Sequence, residues 1–169
     1  NFRYYEAITV RDSSLSAASQ SVVAAELGYL ELAYDYLAEA ALMDLEDRNH
    51  NTRDGLHMAS LAGAWTALVE GLGGMRARDG KLWFTPRLPS DIGRLRFRVR
   101  YRGSGIEVET DGQSATYRLW DGPPRTVHHE GEAFDLEAGA DVVRAVTPVP
   151  HVPRPTQPPG REPLRRGQG

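Results

Sequence analysis

The sequence contains no cysteine, which excludes disulfide bonds, thiolate nucleophiles and cysteine-ligated zinc together. It also has no apolar run of about 18 residues, the length that crosses a bilayer, so we expect no membrane partner. A formal net charge of −3 gives no basic excess to attract nucleic acid, and we expect no nucleic-acid partner either. The first residues lack both an initiating methionine and the plan of a signal peptide. We therefore expect a segment of a larger cytoplasmic protein.

Helical periodicity fills the N-terminal part of the chain. A first helix is expected from Ser16 to about Leu27, ended by Gly28. Two later segments repeat apolar residues at the i, i+3, i+4, i+7 spacing of one helix face. The residues of these two stripes are Leu30, Ala33, Tyr34, Leu37 and Ala41, then Met58, Leu61, Ala62, Trp65, Leu68, Val69 and Leu72.

Strand periodicity follows. Apolar residues from Leu95 to Tyr101 alternate with arginines, and Gly103-Ser104-Gly105 turns the chain into a second alternating segment that carries Glu107 and Glu109. Further short strands are expected over 115–119, 125–129 and 133–136. An antiparallel β-sandwich is the natural packing for such strands.

The end of the chain, 147–169, is rich in proline and poor in apolar residues, which predicts a disordered tail or a linker. The spacing of Pro155 and Pro158 matches a generic PxxP pattern, for which a linker is the preferred interpretation. The sequence thus predicts an α+β chain with three parts: helices over 1–75, a β-sandwich over 76–146 and the tail over 147–169.

Three segments, VRDSSLS at 10–16, NTRDGLHMASLAGAW at 51–65 and GGMRARDGKLWFTPRLP at 73–89, resemble the end of glycoside hydrolase family 65. This family includes the maltose, trehalose and kojibiose phosphorylases. The resemblance implies that the predicted helices are the last ones of a catalytic (α/α)6 barrel and that the sandwich is the small C-terminal domain. The rest of the barrel would then be a partner of this chain, and a homodimer of the parent protein stays open.

The implied chemistry is the inverting cleavage of a glucose-containing disaccharide by phosphate, which yields β-glucose 1-phosphate. Phosphate is a co-substrate, and no cofactor is implied. A glutamic acid of the family protonates the leaving oxygen, and its motif is expected upstream of this chain. Four glutamates of the helical part do not match that motif: Glu6, Glu26, Glu31 and Glu39. We therefore expect no catalytic residue here, and an inactive isolated chain.

The resemblance implies a phosphate pocket built by two loops that open helices. Its expected contacts are Ser13 and Ser14 in one loop and His57 and Ser60 in the other, because hydroxyls, helix N–H groups and an imidazole suit an anion. Arg11 is a further candidate anion contact, at a position where the family commonly has histidine. That departure leaves a hydrolase of the same family as an alternative.

The candidate phosphate contacts also have simpler explanations. The serines could only cap a helix, and His57 could only be a hydrogen-bonded residue at a helix start. A non-catalytic buttress, or a carbohydrate-binding sandwich that uses aromatic faces, is another alternative. The aromatic candidates for such a face, for which a place in a domain interface is the preferred interpretation, are Trp83, Tyr117 and Trp120.

Two other patterns predict no ligand. The arginines at 94, 96, 98, 100 and 102 form one solvated sheet face, and Glu107 and Glu109 on the neighbouring strand are expected to pair with them. His128 and His129 are adjacent in the sequence and have no third ligand nearby, so we expect no metal site.

Overall fold

A computed structural model describes residues 1–47 and 50–166. The chain divides into two compact units: a helical unit, Asn1–Gly71 with the tail from Pro150, and a β unit, Leu72–Val149. The predicted α+β class is confirmed. In the part of the chain that the structure describes, no helix combines the length and the apolarity needed to span a membrane.

The helical unit contains the three predicted helices and one short helix before them. Their bounds are α1 Phe2–Glu6, α2 Ser16–Glu26, α3 Leu30–Ala41 and α4 Met58–Thr66. A 3-10 turn at Thr52–Asp54 precedes α4, which continues as π-helix over Ala67–Leu72. The chain leaves α2 at Gly28, whose φ of 85° is the left-handed conformation that glycine adopts freely.

Small residues bring α2 close to α3 and α4. A Cβ on Gly63 of α4 would lie 2.6 Å from the Cβ of Ala18, so only glycine permits this approach. The buried Ser21 of α2 donates its hydroxyl to the carbonyl oxygen of Ala33 at 2.7 Å. The first contact joins α4 to α2, and the second joins α2 to α3, which carries most of the site described below.

The part of the predicted apolar stripe that lies on α4 is exposed to water, whereas Val69 and Leu72 in the following π-helix are buried. Met58, Leu61 and Trp65 are 68%, 38% and 50% exposed, whereas Ser60 and Ala64 face the interior of the unit. The stripe therefore marks the outer face of α4, because the small residues make the contacts with α2 and α3. An exposed stripe of this kind is the surface that another helix of a barrel would cover.

The tail differs from its sequence-based expectation. Pro155 and Pro163 are buried in the helical unit, and Arg154 forms an ion pair with Asp35 of α3. The predicted disorder over 147–169 is therefore not confirmed for residues 150–166, which keep an irregular backbone but contact the helices. Residues 167–169 lie outside the described part of the chain. Ion pairs with acidic residues of the helical unit hold this segment together with the two buried prolines. The composition of the tail does not indicate these contacts.

The β unit is a sandwich of two four-stranded sheets, in the orders β1-β2-β6-β7 and β3-β4-β5-β8. Every neighbouring pair is antiparallel except β2 and β6, which are parallel. The strands are β1 Arg76–Arg78, β2 Lys81–Phe84, β3 Leu95–Tyr101, β4 Ser104–Thr110, β5 Ser114–Asp121, β6 Arg125–His129, β7 Glu132–Leu136 and β8 Asp141–Ala145.

Aromatic rings join the two sheets. Tyr117 of one sheet is fully buried, with ring centres 5.3 Å from Phe84 and 5.0 Å from Phe134 of the other. Its hydroxyl lies 2.6 Å from Nδ1 of His129, and Nε2 of the same histidine lies 2.8 Å from the carbonyl oxygen of Ala145. Tyr117 and His129 are therefore core residues, which explains both without a ligand.

The arginine row on β3 pairs as predicted with the glutamates of β4. Glu107 is 4% exposed, and its carboxylate accepts hydrogen bonds from Arg96 at 2.8 Å, Arg98 at 2.6 Å and Arg118 at 3.2 Å. The Arg96 hydrogen bond is the main cause that holds the pKa of Glu107 below its usual value. Arg94 pairs with Glu109 of β4 and Arg100 with Asp121 of β5, so the row forms cross-strand ion pairs with several carboxylates, of which Glu107 is the most buried.

We predict that the isolated 169-residue chain associates in solution, because the α4 stripe exposes apolar side chains to water. Light scattering should show concentration-dependent association. The double variant Met58→Gln, Trp65→Gln should reduce it. A monomeric wild-type chain with a cooperative melt at high temperature would contradict this prediction.

We predict that Glu107→Gln lowers the free energy of unfolding of the β unit by about 1–3 kcal/mol, because charge-assisted hydrogen bonds from three arginines are weakened. The matched variant Glu109→Gln should cost at most about 1 kcal/mol, since its ion pair is more exposed. Urea denaturation of residues 72–149 measures both.

The ion pairs of Glu107 make the stability of the β unit depend on pH. Because the pKa of Glu107 is lowered by folding, its contribution is fully present above the ordinary glutamate pKa of about 4.3 and is lost as the pH falls through the lower folded-state value. The difference between wild type and Glu107→Gln should therefore shrink below about pH 4. An equal difference at neutral and strongly acidic pH would contradict the account.

Candidate anion-binding site

The loop before α2 carries the predicted pair of hydroxyls. Ser13 is exposed; its side-chain oxygen accepts a hydrogen bond from the Leu15 N–H at 3.3 Å, and its carbonyl oxygen accepts one from the Ser16 N–H at 3.0 Å. The N-cap residue of α2 is Leu15, which has no side-chain cap. Ser13 therefore closes a turn instead of capping the helix, and the Ser14 hydroxyl has no hydrogen-bond partner among the described residues.

Arg11 begins this loop in a left-handed conformation, with φ at 57°. Its guanidinium lies 3.0 Å from both carboxylate oxygens of Glu39 and 5.0 Å from the ring centre of Tyr36. The Arg11 side chain is only 8% exposed. Glu39 therefore balances the charge of Arg11. The observed role of Arg11 is to anchor the loop to α3.

His57 lies at the N-cap position of α4 and is held by Asp44. One oxygen of Asp44 accepts the His57 backbone N–H at 2.9 Å, and the other lies 2.6 Å from Nδ1 of the ring. The bond to the His57 side chain is the main cause that lowers the pKa of Asp44. Since a carboxylate only accepts, Nδ1 carries the proton, and Nε2 is left without a partner among the described residues.

Ser60, one turn into α4, has a different position. It is fully buried, and its hydroxyl donates to the carbonyl oxygen of Ala40 in α3 at 3.1 Å. Its observed role is to join α4 to α3, and its side chain is not presented to a ligand.

The end of α3 is the common support of these groups. Arg11 is bound at Glu39, Ser60 at Ala40 and His57 at Asp44, which follows α3. Both candidate loops are thus anchored within six consecutive residues. Both loops are therefore anchored at the same end of α3. The Ser14 hydroxyl and the His57 Nε2 have no hydrogen-bond partner among the described residues.

Asp44 and Glu39 support the site but are not predicted as parts of it from the sequence. Asp44 is one of three acidic residues between 44 and 47, and no spacing distinguishes it from the other two. From the sequence, Glu39 is only one of the glutamates that do not match the family's proton-donor motif. The unusual Arg11 was the one available signal, because a buried arginine requires an acidic partner.

The β unit presents no comparable site. The Trp120 ring lies against Gly105, where a Cβ would come within 2.5 Å of it, and the guanidinium groups of Arg98 and Arg100 lie 5.7 and 4.8 Å from its centre. His128 stacks on Trp83 with ring centres 3.9 Å apart. These contacts cover part of each ring, and Trp120 remains 42% exposed. Over residues 1–47 and 50–166, no three His, Asp or Glu side chains are grouped as metal ligands.

We predict that Asp44→Asn changes the tautomer of His57. The wild-type chain should show the Nδ1–H form of the neutral ring, because the Asp44 carboxylate accepts that proton. In the variant the Nε2–H form should increase. Nitrogen-15 NMR of the ring distinguishes the two forms, and Asp47→Asn is the matched control because Asp47 bonds to Thr52 instead. An unchanged His57 tautomer in Asp44→Asn would contradict the assignment.

Comparison with known proteins connects this geometry to a family. The model of the glycosyl hydrolase family 65 central catalytic domain matches residues 1–66, and that of the family's C-terminal domain matches residues 75–136. An uncharacterized glycosyl hydrolase of Mycobacterium leprae is 54% identical over 169 residues, covering 98% of this chain and 21% of the relative. At most four residues of this chain lie outside that match, which therefore includes Arg161 of the tail.

Two phosphorylases are also similar. The α,α-trehalose phosphorylase of Thermoanaerobacter brockii is 45% identical over 139 residues, covering 82% of this chain and 18% of the relative. A solved structure named as a kojibiose phosphorylase from the human microbiome superimposes with a TM-score of 0.79 at 28% identity, covering 87% of this chain and 22% of that one. The chain spans about a fifth of the length of these relatives. It belongs to glycosyl hydrolase family 65, with residues from the end of the central catalytic domain followed by the C-terminal domain.

Proposed function

We propose that the full-length protein containing this chain is an inverting α-glucoside phosphorylase and that this chain supplies its phosphate-binding loops. The observation that carries the proposal is the anchoring of both loops at the end of α3, with the Ser14 hydroxyl and the His57 Nε2 left unpartnered. The similarity to a trehalose phosphorylase and to a structure named as a kojibiose phosphorylase supports the choice of phosphate as the attacking group.

In this proposal, Ser13, Ser14 and His57 contact the phosphate. A phosphate ion suits them because it has both O–H and O⁻ groups, so it can donate to a neutral imidazole nitrogen or accept from a protonated one. The hydroxyls of Ser13 and Ser14 are the donors that this loop offers. Arg11 and Ser60 act one step away, by fixing the two loops to α3.

The reaction requires a proton donor that lies outside this chain. A phosphate oxygen attacks the anomeric carbon, the glycosidic C–O bond breaks on the opposite face, and a carboxylic acid protonates the leaving oxygen. The anomeric configuration inverts, which gives β-glucose 1-phosphate and a free sugar. The substrate is a glucose disaccharide of the trehalose, maltose or kojibiose type. The role of these loops is to hold the nucleophile in line with the bond that breaks.

Hydrolysis is the second candidate, with water in place of phosphate. Two observations favour it: the M. leprae relative is named as a glycosyl hydrolase, and the Arg11 charge is matched by Glu39. The products separate the two reactions, because hydrolysis releases glucose without glucose 1-phosphate and is indifferent to phosphate.

We predict that the full-length protein releases β-glucose 1-phosphate from one of these disaccharides in a phosphate-dependent reaction. His57→Ala should raise the KM for phosphate by about tenfold to a hundredfold, since it removes one charge-assisted hydrogen bond. The matched control is His50→Ala, because His50 is exposed and lies in the preceding loop. Glucose release at the same rate without phosphate, or equal phosphate KM values for both variants, would contradict the proposal.

A further inference from the structure

The tail contacts the helical unit at three places, and the last of them is the anion-binding loop 10–14. Its first anchor is Asp35 of α3, which is 3% exposed. Asp35 pairs with the guanidinium of Arg154 and also accepts the Arg166 backbone N–H at 2.8 Å. Arg166 pairs in turn with Glu46 at 2.6 Å. The buried Asp35 carboxylate therefore binds the tail at both Arg154 and Arg166. The segment between these two residues is held against the helical unit at both ends.

A second anchor lies inside the unit. The side-chain amide of Gln157 donates to Glu6 at 2.8 Å and to the Tyr36 hydroxyl at 2.7 Å. Glu6 and Tyr36 are 3% and 0% exposed and are hydrogen-bonded to each other. Tyr36 is also the ring on which Arg11 packs. The tail thus completes the buried polar network that supports the start of the loop.

The third contact is on the loop itself. Arg161 donates to the carbonyl oxygen of Val10 at 3.2 Å and to the carboxylate of Asp12 at 2.6 Å. These two residues flank Arg11 in the sequence, and Asp12 directly precedes Ser13. One guanidinium therefore fixes the backbone on both sides of the left-handed residue that sets the direction of the loop.

The three contacts of the tail differ in burial and therefore in strength. The Arg161–Asp12 pair is 46% and 72% exposed, and an isolated pair of this kind stabilises little. The anchors at Asp35 and at the Glu6–Tyr36 pair are buried, so they fix the position of the tail before Arg161 reaches the loop. Preorganisation by these anchors reduces the entropy lost when Arg161 pairs with Asp12.

We propose that residues 150–166 form a strap that holds loop 10–14 in its anion-binding conformation, with Arg161 as a positioning residue. This inference rests on the proposed function for its consequence in catalysis, but the strap itself is a structural claim about the loop. The M. leprae match, which includes Arg161, indicates that the tail is part of the sequence shared with that relative.

The test uses hydrogen exchange in the full-length protein. Arg161→Ala should speed amide exchange in residues 10–14 by about two- to fivefold, the range for loss of an exposed ion pair. Arg161→Lys should keep most of the protection, since an ammonium group still pairs with Asp12. The control is Arg165→Ala, because Arg165 is an exposed arginine of the same tail with no ion pair among the described residues. Exchange in β5 serves as a reference for overall folding.

Truncation after Val149 should produce a larger increase, of at least about tenfold, because all three contacts are lost. Should the truncated protein fail to fold, Asp12→Asn replaces it. That variant should speed exchange by no more than Arg161→Ala, which also loses the bond to the Val10 carbonyl, and the double variant should add nothing beyond Arg161→Ala. Unchanged exchange at 10–14 in Arg161→Ala, or an equal effect of Arg165→Ala, would overturn the proposal.

Kinetics then tests the link to function. Arg161→Ala should raise the KM for phosphate by a similar two- to fivefold factor with kcat unchanged, as loss of loop preorganisation requires. Faster exchange with an unchanged KM for phosphate would overturn the proposed effect of the strap on phosphate binding. The strap as a structural feature would still stand. If the wild-type protein shows no phosphorolysis, the proposed function fails, whereas the exchange experiment still decides whether the strap exists.

Discussion

The site depends on the end of α3, where three side chains from elsewhere in the sequence are bound. Glu39 matches the charge of Arg11, the Ala40 carbonyl receives the Ser60 hydroxyl, and Asp44 holds His57 through two atoms. The first and third contacts join the two loops to this end of α3, and the second joins α4 to it, while α2 is bound to α3 through Ser21. Removal of this helix end would release both loops. The positions of the unpartnered Ser14 hydroxyl and His57 nitrogen are therefore set by packing several residues away.

Much of this architecture follows from local sequence patterns. The helices begin and end close to the predicted residues, because α2 stops at a glycine and α4 starts at a histidine that follows a turn. The pairing of Glu107 with the arginine row was also predictable, since alternation on neighbouring strands places charges opposite one another. The parallel pairing of β2 with β6 was not, because it joins strands that are distant in the sequence and leaves no local signal.

The remaining differences arise from contacts between distant residues. The tail has the composition of a disordered segment, yet Arg154 and Arg161 bind acidic residues 119 and 149 positions earlier. The apolar pattern of α4 correctly predicts a helix but not which face is buried, because small residues such as Ser60 and Ala64 make the close contacts. Of the five predicted site residues, Ser60 and Arg11 have structural partners that account for them. Whether a candidate side chain is free to bind an anion depends on its hydrogen-bond partners in the fold.

The most direct measurement is the position of phosphate in a crystal structure of the full-length protein grown with inorganic phosphate. The account predicts one phosphate with oxygens within about 3.2 Å of both the Ser14 hydroxyl and the His57 Nε2, and with His57 still bound to Asp44. A phosphate that contacts neither loop, or the two side chains too far apart to reach one ion, would contradict it.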